Sequence, residues 1–224
     1  MSFDLEARFF RSLFEPGATP ARVLIVGCGD GKEAGYIARE TGAFTVALDL
    51  AVDARAKQPG LQLLRADARR LPFRDGAFDA LYCYHVLEHV PGPGSAVAEA
   101  GRVLGGDGVG FFGTPNRSRL VGYVGGRATL QEKVSWNVSD WKRRLRGRWS
   151  NEQGAHAGFT ERELGRLLSP VFARIGSVSQ AYYEAKYPRL GWLWRLSSRL
   201  GFAGLLMPSV YFRAIGGARP PRDP

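Results

Sequence analysis

The run Val23-Leu24-Ile25-Val26-Gly27-Cys28-Gly29-Asp30-Gly31 constrains the fold of this 224-residue chain more than any other stretch. Its first four residues are apolar and rich in β-branching, which suits a strand buried on both faces of a parallel sheet. Glycines at positions 27, 29 and 31 then turn the chain, because a backbone without Cβ atoms takes unusual dihedrals and approaches a ligand closely. Residues 32–40 read as the helix that follows. Two acids close further apolar runs, Asp49 at the end of Phe44–Asp49 and Asp67 just beyond Leu61–Arg65. Ligands of open α/β sheets collect at the carboxyl ends of the strands, so three strand ends would share one nucleotide-shaped ligand. Asp49 can accept hydrogen bonds from both hydroxyls of a ribose. Asp67, with the backbone N–H of Ala68, can read the amino group and a ring nitrogen of adenine.

The glycine spacing separates two classes of nucleotide ligand. A pyrophosphate-binding G-x-G-x-x-G would need glycine at position 32, where this chain has Lys32; the pattern present is G-x-G-x-G. Here the chain resembles the class I S-adenosylmethionine-dependent methyltransferases. V-L-I-V-G-C-G-D-G is similar to their first motif, and R-A-D-A-R-R-L-P-F and F-D-A-L-Y-C-Y-H-V-L-E-H-V follow in their order, over residues 22–115. G-V-G-F-F-G-T-P-N (108–116) resembles the family's fifth strand and following loop. H-A-G-F-T-E-R-E-L (156–164) resembles the late helix entry of small-molecule members.

The resemblance implies an α/β fold: a Rossmann-like, doubly wound, mostly parallel seven-stranded sheet with an antiparallel last strand and helices on both faces. It implies S-adenosylmethionine as cofactor, leaving as S-adenosylhomocysteine. Carried over residue by residue, Gly27, Cys28, Gly29 and Gly31 shape the methionine end of the site, Asp49 holds the ribose, Leu50, Asp67 and Ala68 surround the adenine, and Tyr84 lies close by. One position departs from the family. Ile25 stands where many members carry an acid that holds the methionine amino group, and backbone carbonyls near Tyr82 to Tyr84 are the substitute considered.

His85-Val-Leu-Glu-His89 literally matches a zinc-protease pattern, H-x-x-E-H. That chemistry needs both histidines on one helical face, a further ligand and a catalytic water, whereas this segment directly follows the fourth strand, so no metal is expected. The resemblance places the segment beside the sulfonium and the acceptor. His85 is the catalytic candidate, with Glu88 as a second group able to deprotonate an acceptor. His89 reads equally well as a residue that caps or orients the loop.

Composition is consistent with one methyltransferase domain over residues 1–224, since 45% apolar residues suffice for a continuous core. Residues 1–14 lack an uninterrupted apolar run and read as a helix rather than a secretory signal. Cys28 and Cys83, the chain's two cysteines, suit a reducing compartment, and a cytoplasmic location is expected. Thr160 and Glu163 have capping-box spacing at the start of a helix over 159–168. Residues 171–179 and Ser209–Ile215 resemble a closing hairpin.

The formal net charge is +10, unevenly spread. Residues 117–148 hold nine bases (117, 119, 127, 133, 142, 143, 144, 146 and 148) against Glu132 and Asp140, with Trp136, Trp141 and Trp149 interleaved. This suits phosphate contacts with base stacking, a lipid interface, or a solvated helix over a folded lid. Residues 190–206 place Leu193, Leu196 and Leu200 at helical spacing beside Trp192, Trp194, Arg195 and Arg199. They are too short and too charged to span a bilayer; they could lie at an interface, cover an apolar acceptor pocket, or pack over the sheet. Two insertions, 116–158 and 182–208, are therefore expected to form an acceptor lid. The function expected is methyl transfer to a small, apolar or anionic acceptor; RNA methylation through the basic segment and a non-catalytic S-adenosylmethionine-binding module are the alternatives.

Overall fold

The computed structural model describes residues 3–53, 60–123, 128–152 and 154–216. Along the chain come α1 (Phe3–Ser12), β1 (Arg22–Val26), α2 (Lys32–Thr41), β2 (Phe44–Asp49), β3 (Leu61–Arg65), β4 (Phe78–Tyr84), α3 (Pro93–Val103) and β5 (Leu104–Pro115). They are followed by α4 (Leu130–Leu145), α5 (Glu161–Leu168), β6 (Arg174–Ser177), α6 (Ser179–Lys186), α7 (Gly191–Arg199), α8 (Ala203–Leu206) and β7 (Ser209–Ile215). The strands form one sheet in the order β3-β2-β1-β4-β5-β7-β6. The pairings from β3 to β5 are parallel, and β7 runs antiparallel between β5 and β6. Strand order reverses between β1 and β4, where an open sheet leaves a crevice at its carboxyl edge.

Both sheet faces are covered, which is why the central strands are apolar without alternation. Leu24 and Val26 of β1 join one core cluster with Leu81, Cys83, Val97 of α3 and Leu164 of α5. Val23 and Ile25 join the other, with Phe9 and Phe10 of α1, Tyr82 and Tyr211. Ile25 is therefore a core residue, contributing roughly 1.5–3 kcal/mol by burial, and offers no polar atom to a ligand.

The first insertion is more regular than its sequence suggested. α4 starts at a capping box: the Thr129 hydroxyl accepts from the Glu132 N–H at 3.3 Å, and the Glu132 carboxylate accepts from the Thr129 N–H at 2.7 Å. α5 starts in the same way at Thr160 and Glu163, as predicted. The strand predicted over 171–179 is confined to Arg174–Ser177, because the chain enters α6 at Ser179.

α4 buries just one of its side chains, Asp140. Arg119 donates to that carboxylate at 3.0 Å, and both side chains are almost wholly buried. The second terminal nitrogen of Arg119 donates to the carbonyls of Asn116 and Ala157. Arg119 and Arg144 both lie over Trp149, at 4.9 and 4.4 Å from its ring centroid, and Arg144 also donates to the carbonyls of residues 117 and 119. Much of the arginine–tryptophan interleaving is thus internal packing; Arg127 lies outside the described residues. The second insertion is laced to the first. Leu120 N–H donates to the Leu205 carbonyl at 2.8 Å, and the Asn116 side chain donates to the carbonyls of Gly204 and Met207.

Removing one partner of a buried ion pair strands the other charge, at a cost of about 3–5 kcal/mol. Asp140→Ala should lose that much stability in urea unfolding, and adding Arg119→Met should restore most of it. A loss below about 1 kcal/mol, the range of an exposed pair, would show that this contact does not anchor α4.

Candidate active site

The glycine turn after β1 is the first component. Gly27, Gly29 and Gly31 have φ of 75°, 53° and 77°, the left-handed region that side chains disfavour. A Cβ on Gly27 would overlap the side chain of Val86. The turn is tied to β2, since the N–H groups of Gly27 and Cys28 both donate to the Leu48 carbonyl, at 2.8 and 3.0 Å. Asp49 completes this link: one carboxylate oxygen accepts from Gly29 N–H at 3.0 Å and the other from Ala51 N–H at 3.1 Å. Each oxygen keeps further acceptor capacity.

Beyond this turn lies a cavity of about 280 Å³, lined in part by Gly27, Asp49, Leu50, Asp67, Ala68 and His85. Six of the residues singled out from sequence therefore share one wall. The cavity also takes in Val86, His89, Val90 and Pro91, which the sequence reading did not assign to it. Cys28, Gly29, Gly31 and Tyr84 do not line it. Cys28 is buried, and that burial, reinforced by the Asp49 charge, pushes its thiol up to about 11. Tyr84 packs among the rings of Tyr82, Tyr211 and His85. Asp67 is gripped by Arg69, whose guanidinium donates to both carboxylate oxygens at 2.7–3.1 Å, and these bonds hold the carboxyl below its ordinary range.

A second cavity, about 420 Å³, adjoins it and shares two lining residues, His85 and His89. Its other walls include Glu88, Arg119, Tyr123, Trp136, His156 and Ser209. All three histidines of the chain thus meet here, with the rings of His89 and His156 at 4.6 Å. Among the described residues, the non-glycine positions with positive φ are His85, Tyr123 and His156, all on this cavity. Such strain persists where the surrounding structure imposes it, and it gathers at binding and catalytic sites.

His85 and Glu88 divide the chemistry. Burial, helped by the Arg119 charge, lowers His85 to about 3, so it is a neutral imidazole at physiological pH; its Nε2 lies 3.3 Å from the Ser209 hydroxyl. Burial raises Glu88 to about 7, partly offset by the nearness of its own backbone N–H and by the Arg119 charge. Both Glu88 carboxyl oxygens are buried without a hydrogen-bond partner, and the nearest charge-capable contact, His89 Nε2, is at 3.9 Å. Glu88 therefore titrates where a general base is useful, and His85 lies well below that range. No group of three or more histidine, cysteine or acidic residues among the described residues is arranged to hold a metal ion. On the Ile25 face of the sheet, Tyr82 donates at 2.6 Å to Glu33, which burial lifts to about 7.

Known proteins resemble this chain in sequence and in fold. The methyltransferase domain family matches residues 24–112. The ubiquinone biosynthesis O-methyltransferase of Marinobacter nauticus is 32% identical over 165 residues, covering 67% of this chain and 68% of the relative. The corresponding protein of Paracidovorax citrulli is 35% identical over 123 residues, covering 49% and 51%. The chain spans about half the length of several curated relatives that it matches. Among solved structures, the fold is similar to Haemonchus contortus phosphoethanolamine N-methyltransferase 2 (TM-score 0.59, 15% identity, 95% of this chain and 52% of that one). It is also similar to a Burkholderia thailandensis 1,6-didemethyltoxoflavin-N1-methyltransferase (TM-score 0.53, 18% identity, 97% and 79%). The fold is that of a Rossmann-like methyltransferase. The chain belongs to the class I S-adenosylmethionine-dependent methyltransferase family.

Glu88 gives the site a measurable pH signature. Its folded pKa of about 7 lies above the ordinary 4.5, so the folded chain keeps a proton that the unfolded chain releases, and stability falls as pH rises through that interval. Glu88→Gln cannot ionise. Its stability relative to the parent should rise between pH 4.5 and 7 by up to about 3 kcal/mol. Denaturant titrations at several pH values will measure this, and a pH-independent difference would show that Glu88 titrates normally.

Proposed function

We propose that this chain transfers the methyl group of S-adenosylmethionine to a small hydroxylated acceptor with an apolar body, seated in the second cavity. One observation carries the reading: His85 and His89 face both cavities, so ligands in the two would meet at that wall. When bound, the cofactor supplies an electrophilic methyl group on a positively charged sulfur.

In this reading Asp49 receives the ribose hydroxyls with the acceptor capacity left beyond its two backbone donors. Asp67 and the Ala68 N–H receive the adenine, with Arg69 fixing the carboxylate, and Leu50 supplies an apolar contact. Gly27, Cys28, Gly29 and Gly31 form the turn around the methionine end, and Tyr84 supports His85 from below with ring centroids 4.2 Å apart. Glu88 takes the acceptor's hydroxyl proton, because a buried carboxylate without a partner gains most from a ligand donor. Neutral His85 orients the acceptor through one hydrogen bond. Tyr123, Trp136 and Pro208, from the two insertions, cover its apolar body and keep water out. Alignment of two bound partners then supplies much of the catalysis.

The hydroxyl assignment draws support from the relatives named as O-methyltransferases. An anionic acceptor is less well supported, since Arg119, the cation on this cavity, is already bound to Asp140. RNA as acceptor loses support for a related reason, because Trp149 and the arginines over it are packed internally.

Isothermal calorimetry with S-adenosylhomocysteine tests the cofactor half of the reading. Asp49→Ala should weaken binding by about 1.5–3 kcal/mol, the scale of lost charge-assisted hydrogen bonds, and Asp67→Ala by less. Unchanged affinity for Asp49→Ala would remove the ribose assignment. Release of S-adenosylhomocysteine across a panel of small phenols tests the acceptor half. Turnover should be lost in Glu88→Gln with cofactor affinity intact, whereas cofactor binding without turnover on any phenol would favour a non-catalytic module.

A further inference from the structure

The apolar residues that remain exposed are not scattered. On α4, Leu130, Val134, Val138, Trp141 and Leu145 recur at intervals of four, four, three and four residues, which is one face of a helix. All are exposed, Leu130 and Leu145 at 79% and 83%. On α7 and just beyond it, Trp192, Leu196 and Leu200 repeat the pattern, at 60%, 44% and 61% exposure, with exposed Arg195 and Arg199 beside them. Leu120 links the two segments. Its carbonyl accepts the Trp141 indole N–H at 3.1 Å, and its N–H donates to Leu205, which follows α7 in the chain.

Charge is concentrated in the same segments. The two insertions, 116–158 and 182–208, contain thirteen lysines and arginines and four acids, while the rest of the chain has eighteen bases against seventeen acids. Nearly all of the positive excess thus lies in the segments that carry the exposed apolar stripes. No helix among the described residues is long and apolar enough to cross a membrane.

We propose that α4, Leu120 and the α7–α8 segment form a docking surface for an anionic lipid bilayer, with the chain lying on the membrane rather than through it. Amphipathic helices with bulky apolar faces and flanking arginines bind at the headgroup boundary by apolar burial together with attraction to anionic lipid. Both parts are present here on adjoining elements. A free second copy of the chain fits less well, because two surfaces of the same positive sign would face each other. The surface also borders the second cavity, whose wall includes Tyr123, Trp136 and Pro208 from the same two insertions. An acceptor with an apolar body could then enter from the bilayer. This last step rests on the functional reading above, whereas the docking surface does not.

Vesicle flotation of the full chain tests the proposal. Vesicles of phosphatidylcholine alone are compared with vesicles of equal parts phosphatidylcholine and phosphatidylglycerol, each at low and high salt. Two paired variants, Val134→Glu with Val138→Glu and Trp192→Glu with Leu196→Glu, are first checked for parental affinity for S-adenosylhomocysteine. The parent should bind the anionic vesicles at least roughly tenfold better than the neutral ones, with binding falling at high salt, and each pair should lower it by a similar factor. Equal binding to both vesicles, no binding, or binding undiminished in both pairs would overturn the proposal. So would a parent that ignores vesicles but elutes as a dimer dispersed by the variants, or that is retained on single-stranded RNA instead. Failure of the parent to bind S-adenosylhomocysteine would overturn the functional reading and leave the vesicle result standing.

Discussion

The close approach of Gly27 to Val86 sets the geometry on which both cavities depend. It brings the end of β1 against the segment that follows β4, at the point where strand order reverses. No side chain larger than a hydrogen fits at position 27, and its backbone is in the left-handed region. With the turn fixed there, Gly29 N–H reaches the Asp49 carboxylate and the β2 end is held beside β1. The Val86 segment in turn carries His85, Glu88 and His89 along the boundary between the cavities. One close contact between two strand ends thus sets Asp49 and Asp67 on one cavity and Glu88 on the other, with His85 and His89 between them.

The electrostatics of that wall follow from burial more than from charge pairing. His85 and Glu88 move in opposite senses, the imidazole down and the carboxyl up, because a buried site disfavours whichever form is charged. Arg119 adds a positive charge that reinforces the first shift and opposes the second. Its partner Asp140 comes from α4, so the insertion that contributes Tyr123 and Trp136 to the cavity wall also neutralises the cation beside it. Others of its cations, Lys142 and Arg146 among them, and its apolar stripe are exposed.

The sheet was legible in the sequence because its strands are short apolar runs ended by glycine or acid. Phe44–Asp49 and Leu61–Arg65 were read with the bounds the structure shows. α5 was legible through Thr160 and Glu163. α4 was read as one of three alternatives, a solvated helix without bounds, although Thr129 and Glu132 carry the same signature, since its apolar stripe is exposed and its arginines and tryptophans drew attention as ligands. The acids at the strand ends were placed on one cavity, as expected. Harder to see was that Arg69 would clasp Asp67, that His85 would be too strongly desolvated for an ordinary base, and that Arg119 would be spent on Asp140. Each depends on contacts or burial that arise only when distant segments pack. His156 illustrates the limit: it joins His85 and His89 from 67 or more residues away, and no local pattern announces it.

If the two adjoining cavities hold two ligands, these meet at the His85 and His89 wall. A crystal structure of the chain with S-adenosylhomocysteine tests it most directly. The adenosine should lie between Asp49 and Asp67, with the sulfur facing that wall and the second cavity open beyond it. Adenosine bound elsewhere, or a sulfur turned away from His85 toward solvent, would contradict it.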